Sequence, residues 1–90
     1  MKISFYEKIQ LATHIERKVA ELNIGNKEIE KAVYEDIGRQ LKREFGLNRK
    51  HPNLDEKYLF DAHELIDCYE APKYLQELID DANSQMSLAV

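Results

Sequence analysis

A cluster of basic side chains is the part of this 90-residue sequence best suited to bind a charged partner. Clustered lysines and arginines neutralise phosphates and release counterions, which supplies most of the sequence-independent affinity of proteins for nucleic acids. The sequence therefore predicts a site for double-stranded DNA, formed by the end of one helix and the turn after it. Its candidate residues are Arg39, Lys42, Arg43, Arg49, Lys50 and His51.

The same residues also fit a solvated helix face that binds no ligand. Glu35 and Asp36 precede Arg39 by four and three residues, which is the spacing of ordinary surface ion pairs on a helix. Basic residues near a helix C-terminus also interact favourably with the helix dipole. Both interpretations stay open at the level of the sequence.

The sequence offers no convincing catalytic or metal-binding motif. His63 and Asp67 stand four residues apart, as do the two histidines of a zinc-protease helix, but an aspartate replaces the second histidine. His14 and His51 have no spacing that completes a zinc site. Cys68 has no nearby histidine or cysteine partner, so we expect a small buried hydrophobic residue there. We predict that the protein is not an enzyme and binds no metal and no cofactor.

Four amphipathic helices must position the basic cluster. Apolar residues recur at spacings of three and four over residues 3–22, 27–45, 55–69 and from Pro72 onward. No stretch alternates like a strand, no repeat appears and no linker divides the chain. The sequence therefore predicts an all-α helical bundle of four helices, with residues 1–85 as one domain and 86–90 as a frayed tail.

The helix ends carry specific signals. Gly25 can adopt the left-handed conformation beyond the first helix, and Asn26 can cap the second. Gly46 followed by Leu47 predicts a Schellman ending, in which the glycine turns the chain and the leucine packs back on the last turn. Pro52 prevents the second helix from continuing through the basic residues.

The periodicity also assigns the buried faces. In the third helix Phe60 lies off the main apolar arc, so it either contacts a second subunit or partner protein or is covered within the monomer. The first helix is expected to bury Phe5, Ile9, Ala12, Ile15, Val19 and Leu22, and the last helix Leu75, Leu78, Ile79 and Ala82.

Composition sets the broad class of the protein. A hydrophobic fraction of 43% and a charged fraction of 33% are ordinary for a globular domain. The single cysteine cannot form an intramolecular disulfide, and the apolar runs are too short for a signal peptide or a membrane span. We therefore expect a cytoplasmic protein. A domain of this size is marginally stable alone, which favours a dimer.

Charge is unevenly distributed along the chain. The net charge is −4, yet residues 1–51 carry 11 Lys/Arg against 8 Asp/Glu, whereas residues 52–90 carry 2 against 9. Such a division concerns partners rather than fold. The N-terminal half can face an acidic partner that the C-terminal half repels.

Residues 33–37 and 41–47 resemble the central block of the C-terminal domain found in many bacteriophage antirepressor and phage regulatory proteins. In that family a helix ends in a basic-basic-x-Phe-Gly-aliphatic signature, which Lys42 to Leu47 match here, and leads into a loop. A further helix then ends near a proline, as residues 62–72 do. The similarity extends over residues 8–85.

The resemblance implies a phage regulatory protein that binds DNA or a repressor protein in the bacterial cytoplasm. Asn48 to His51 stand where the family often has a Ser-Tyr pair, and the separate N-terminal regulatory domain common in the family does not precede this sequence. A free-standing relative and a piece of a larger protein both remain open. Two functions follow as hypotheses: a DNA-binding regulatory module, or a helical module that dimerises or binds a repressor or host protein.

Overall fold

The computed structural model describes the backbone of residues 1–88 and the side chains of residues 1–84. It contains four α-helices, α1 (Phe5–Glu21), α2 (Lys27–Glu44), α3 (Leu59–Asp67) and α4 (Lys73–Leu88), with a 3₁₀ turn at Glu56–Tyr58 before α3. No strand occurs in residues 1–88, where β-pairing is limited to one isolated bridge between Lys2 and Asp55. The predicted all-α architecture of four helices is confirmed.

The first two helices begin at caps formed by short polar side chains. The N–H of Glu7 donates to Oγ of Ser4 over 3.1 Å, and the N–H of Ser4 donates to the Glu7 carboxylate over 2.8 Å. This reciprocal pair satisfies two donors that the first turn leaves free. As predicted, Gly25 has a positive φ of 72° and Asn26 caps α2, accepting from the N–H groups of Glu28 and Ile29.

The third helix is shorter than the predicted span of residues 55–69. The extended N-terminal segment pairs with this part of the chain, because the N–H of Glu56 donates to the carbonyl of Met1 over 2.8 Å and that of Ile3 to Leu54 over 2.9 Å. The Asp55 side chain caps the 3₁₀ turn by accepting from Lys57 N–H. The regular α-helical ladder therefore starts only at Leu59.

The fourth helix starts one residue later than predicted and ends later as well. Pro72 precedes its first residue, and the Pro72 carbonyl accepts from Gln76 N–H over 2.9 Å. The backbone stays helical to Leu88, three residues into the segment 86–90 for which the sequence predicted a frayed tail. Residues 89–90 of that segment lie outside the described residues.

Two apolar clusters hold the helices together. The smaller one joins the N-terminal segment, the loop before α3 and α3 through Ile3, Leu54 and Ala62. The larger one takes residues from all four helices and from the turns between them, and contains Ile15, Val19, Ile24, Val33, Ile37, Ile66, Tyr69, Leu75, Ile79 and Ala82.

Four residues expected in the core are exposed. Phe5, Ile9 and Leu78 retain 77%, 46% and 44% of their accessible surface. The arc for α1 was wrong in its first two turns, because the segment before the helix fills this end of the core with Ile3 instead. Cys68 is also exposed, since it forms the C-cap of α3 beyond the last helical residue.

The molecule is elongated, with principal extents of 51 × 22 × 20 Å. At one end, the start of α1, the end of α2 and the loop before α3 share the smaller apolar cluster. At the other end, α4 packs on α2 and on residues near the turn between α1 and α2. The basic cluster and the acidic α4 therefore lie toward opposite ends.

Candidate nucleic-acid interface

The C-terminus of α2 is fixed by the predicted Schellman motif. Gly46 has a positive φ of 65°, and the N–H of Leu47 donates to the carbonyl of Lys42 over 2.8 Å. The N–H of Phe45 donates to Leu41, which completes the last turn. This ending satisfies carbonyls that would otherwise be free and sends the chain abruptly away from the helix axis.

The next four residues, Asn48–His51, form what we call the basic turn. Oδ1 of Asn48 accepts from the N–H groups of Lys50 and His51 over 2.8 and 3.0 Å, and the Asn48 N–H donates to the carbonyl of His51 over 3.1 Å. The Asn48 side chain thus holds the backbone of residues 48–51 in a tight turn. The Arg49, Lys50 and His51 side chains are all exposed.

The basic residues of α2 form a second part of the same surface. Arg39, Lys42 and Arg43 are exposed, and at 100° per residue they lie within an arc of about 100°. We call them the cationic face. Because α2 runs directly through the Schellman motif into the basic turn, the cationic face and the basic turn are consecutive along the chain. The structure thus places all six predicted residues in solvent at one end of α2.

Most of these cations form no close ion pair with an acid in the part of the chain that the structure describes. Among the described residues, no carboxylate oxygen lies within 4.0 Å of the charged nitrogens of Lys42, Arg43, Arg49 or Lys50. Arg39 is the exception, because its guanidinium lies 3.4 Å from Oδ1 of Asp36 while the side chain stays 60% exposed. Of the surface ion pairs that the helical spacing suggested for Arg39, the structure thus contains the one with Asp36.

Acidic residues limit the cationic surface on the side of α3. A cleft of about 560 Å³ between the end of α2 and α3 is lined by Glu44, Asp61 and Glu64 together with apolar side chains and Cys68. A phosphate backbone would be repelled from this cleft. A nucleic acid would therefore have to contact the outer side of α2 and the basic turn.

Phe60 occupies a different surface. Its side chain is 71% exposed at the start of α3, and Phe5 and Tyr6 of the neighbouring helix α1 are exposed by 77% and 68%. The contact between α1 and α3 is one of the largest between helices of this fold. The structure does not bring Phe60 together with the basic cluster.

A histidine pair that sequence reasoning missed joins α1 to α3. Nδ1 of His14 lies 2.7 Å from Nδ1 of His63, and Nε2 of His14 lies 2.6 Å from Oδ1 of Asp67. Since a carboxylate only accepts, Nε2 of His14 carries a proton. Nζ of Lys18 also donates to the Asp67 carbonyl over 2.8 Å. The sequence signal was incomplete, because His14 and His63 are separated by 49 residues.

The geometry of this pair suits a shared proton rather than a metal ion. A tetrahedral zinc with bonds of about 2.0–2.1 Å would hold two nitrogens roughly 3.4 Å apart. The observed Nδ1–Nδ1 distance of 2.7 Å is that of a hydrogen bond. Within the part of the chain that the structure describes, no group of three or more His, Cys, Asp or Glu side chains is arranged to hold a metal.

Comparison with known proteins identifies a family. The family model of the ORF6C domain, a domain found in phage antirepressor and regulatory proteins, matches residues 1–79. No curated protein and no solved structure matches the chain. None of the described helices is long and apolar enough to span a bilayer. The resemblance predicted from the residues around Phe45 and Gly46 is confirmed.

Proposed function

Because the chain belongs to the ORF6C domain family, we propose that it is an antirepressor-like regulatory module that binds double-stranded DNA. The cationic face and the basic turn form the binding surface, and the module catalyses no reaction. Its place of action is the cytoplasm of the bacterial host. The family gives the class of the protein, whereas the DNA-binding surface is inferred from the site, since one fold serves many functions.

The absence of close carboxylates around four of the cations carries this proposal. A cation already paired with an acid must give up that pair to bind phosphate, whereas Lys42, Arg43, Arg49 and Lys50 have no such pair among the described residues. The Schellman motif and the Asn48 side chain also fix the backbone on either side of Leu47. This order lowers the entropy lost when the surface binds a ligand.

The number of cations sets the expected salt dependence. Four phosphate contacts predict a slope of about −3.6 for log K against log salt, so affinity should fall roughly hundredfold between about 50 and 200 mM. A specific base readout is not required for this effect, because phosphate contacts alone supply non-specific affinity.

A titration of labelled duplex DNA, followed by fluorescence anisotropy over this range of salt, tests the proposal. The double variant Lys42→Gln/Arg43→Gln should bind more weakly and lose about two units of the salt slope. The matched control is Lys27→Gln/Lys73→Gln, which removes the same charge from the exposed starts of α2 and α4. The proposal is wrong if duplex DNA does not bind at low salt, or if both double variants weaken binding equally.

A protein-interaction module is the second candidate function, and the exposure of Phe60 favours it. Large contiguous patches of exposed apolar side chains mark sites of protein interaction. Phe60, Phe5 and Tyr6 are all more than two-thirds exposed on neighbouring helices. The partner in this hypothesis is a second copy, giving a homodimer, or a repressor or other host protein.

Phe60→Ser separates this candidate from the first. It should weaken assembly, measured by light scattering, without lowering the free energy of unfolding, because little surface of Phe60 is buried in the monomer. DNA affinity should be unchanged, since Phe60 lies apart from the basic residues. An unchanged mass for Phe60→Ser at every concentration would exclude this side chain as the interface for self-association.

A further inference from the structure

An apolar cleft of about 400 Å³ lies beside the basic turn, between α1, the end of α2 and the loop before α3. Several of its lining side chains belong to the smaller apolar cluster but are only partly buried, so the core is open to solvent here. The lining includes Leu11, Leu41, Phe45, Leu47, Pro52 and Leu54. An occupant with apolar side chains would remove this surface from water.

The cleft has a cation in its lining and the basic turn beside it. Lys8 is exposed and is the charged residue in the cleft lining. The basic turn connects Leu47 to Pro52, both of which line the cleft, so Arg49 and Lys50 lie next to its rim. An occupant that complements this site combines apolar side chains with carboxylates.

The outer side of α4 has this combination. Tyr74 and Leu78 are one helical turn apart and remain 56% and 44% exposed. Glu77 and Asp81 are exposed as well, and at 100° per residue the four side chains share an arc of about 100°. We call these four residues the outer face of α4. Leu75, Ile79 and Ala82 bury the opposite side of the helix in the core.

The cleft cannot be filled by α4 of the same molecule. The α4 helix packs against α2 and against residues such as Leu22 near the other end of the elongated molecule. Its buried side is committed to that contact. Only α4 from a second molecule can present its outer face to the cleft.

We propose that the outer face of α4 from a second copy docks on the cleft beside the basic turn, so that self-association and DNA binding compete for one surface. The docking is argued from the complementarity of the cleft and the outer face of α4. The competition with DNA rests on the proposed function. Tyr74 and Leu78 enter the cleft, and Glu77 and Asp81 face Lys8, Arg49 and Lys50. The contact joins two different surfaces and is therefore heterologous.

Sedimentation velocity at low and high salt, with charge-reversed variants of the full chain, tests the docking. Glu77→Lys/Asp81→Lys and Lys8→Glu/Lys50→Glu should each weaken self-association roughly tenfold or more, because like charges then face each other. An equimolar mixture of the two variants should associate again through the reversed pairs. Circular dichroism confirms that each variant is folded.

The control Glu70→Lys/Asp80→Lys changes the net charge equally but alters acids outside the outer face of α4. It should leave self-association intact. The docking is overturned if the wild-type protein is monomeric at every salt and concentration, if the control weakens association as strongly, or if only Phe60→Ser abolishes it.

DNA titration of the same variants tests the competition. Where the wild-type protein self-associates, Glu77→Lys/Asp81→Lys should bind duplex DNA more tightly than the control of equal charge, since the basic surface is free. Equal affinities for the two would overturn the competition. Self-association that follows these expectations without any DNA binding would uphold the docking and refute the proposed function.

Discussion

The hydroxyl of Tyr69 donates a 2.8 Å hydrogen bond to Oδ2 of the buried Asp36 carboxylate. Nε2 of Gln40 donates to the same oxygen over 3.0 Å, and the Arg39 guanidinium lies 3.4 Å from the other. Burial, and then the bond to Asp36, raise the pKa of Tyr69 above its ordinary value. The contact fastens α2 to the segment between α3 and α4, which lies 33 residues away in sequence.

Tyr69→Phe should lower the free energy of unfolding by about 1.5–3 kcal/mol, the usual contribution of a hydrogen bond to a charged group. The ring still fills its place in the core, so the loss reports the hydroxyl. Urea unfolding followed by circular dichroism measures it. Tyr74→Phe is the matched control, since the Tyr74 side chain is 56% exposed and its change should stay within about 0.5 kcal/mol. Equal stabilities for the two variants would refute the role of this bond.

The histidine pair should make stability depend on pH. Burial, and then the charge of His14, lower the pKa of His63, while the charge of Asp67 raises it less. The other titratable groups beside the pair are Arg17 and Tyr6, which line the adjoining cavity. Because the folded state holds the His63 proton less tightly than the unfolded state, the His63 contribution is complete above the unfolded pKa of about 6.5. It is lost as the pH falls toward the lower folded pKa.

His63→Gln should therefore flatten the pH dependence of stability below about pH 6.5, measured by urea unfolding at several pH values. The comparison with wild type removes the contribution of carboxylates common to both. His51→Gln is the control, because it removes a histidine of the exposed basic turn, outside the pair. A wild-type profile that is flat below this pH, or a His63→Gln profile identical to it, would contradict the shared-proton arrangement.

The helices and their ends were largely predictable because their causes are local. A spacing of three and four residues is sufficient to place α1 and α2, and Asn26 and Gly46 act on groups within a few residues of themselves. The start of α3 was not predictable, because Glu56 N–H bonds to Met1 at the far end of the chain. Local patterns contain no information about that pairing.

The candidate site was predictable in its residues but not in its surroundings. Sequence reasoning named Lys42 and Lys50, and the structure shows that acids do not neutralise them among the described residues. The buried Asp36 and the contact of His14 with His63 depend on packing between distant segments. Exposure of Leu78 has the same cause, since periodicity gives the width of an apolar arc but not how much of it a neighbour covers.

Substitution of Gly38, inside α2, and of Gly46, just after its end, should change the stability of the protein in opposite directions. Gly46→Ala should cost roughly 1 kcal/mol, because the φ of 65° disfavours any residue with a Cβ although no atom lies within 4 Å of the added carbon. Gly38→Ala should stabilise by about 0.5–1 kcal/mol, since Gly38 sits inside the helix with equally open space. Thermal unfolding measures both shifts. A Gly46→Ala protein at least as stable as the wild type would show that the Schellman ending does not require the glycine.

Asn48→Ala tests whether the shape of the basic turn matters for DNA binding independently of its charge. The change removes both bonds that Asn48 Oδ1 accepts from Lys50 and His51, so the cations remain but the backbone that presents them is no longer fixed. Affinity for duplex DNA at low salt should fall severalfold, in line with roughly 1 kcal/mol of lost preorganisation. The salt slope should change by less than one unit, because the number of phosphate contacts is set by the cations.

Asn83→Ala is the control for this variant, as Asn83 is exposed on α4 and far from the turn in sequence. It should bind DNA like the wild type. Lys50→Gln provides the opposite pattern, a slope lower by about one unit, because a phosphate contact is lost. An Asn48→Ala protein with unchanged affinity would mean that the turn adapts freely to DNA, and that charge alone, without the order imposed by Asn48, accounts for binding.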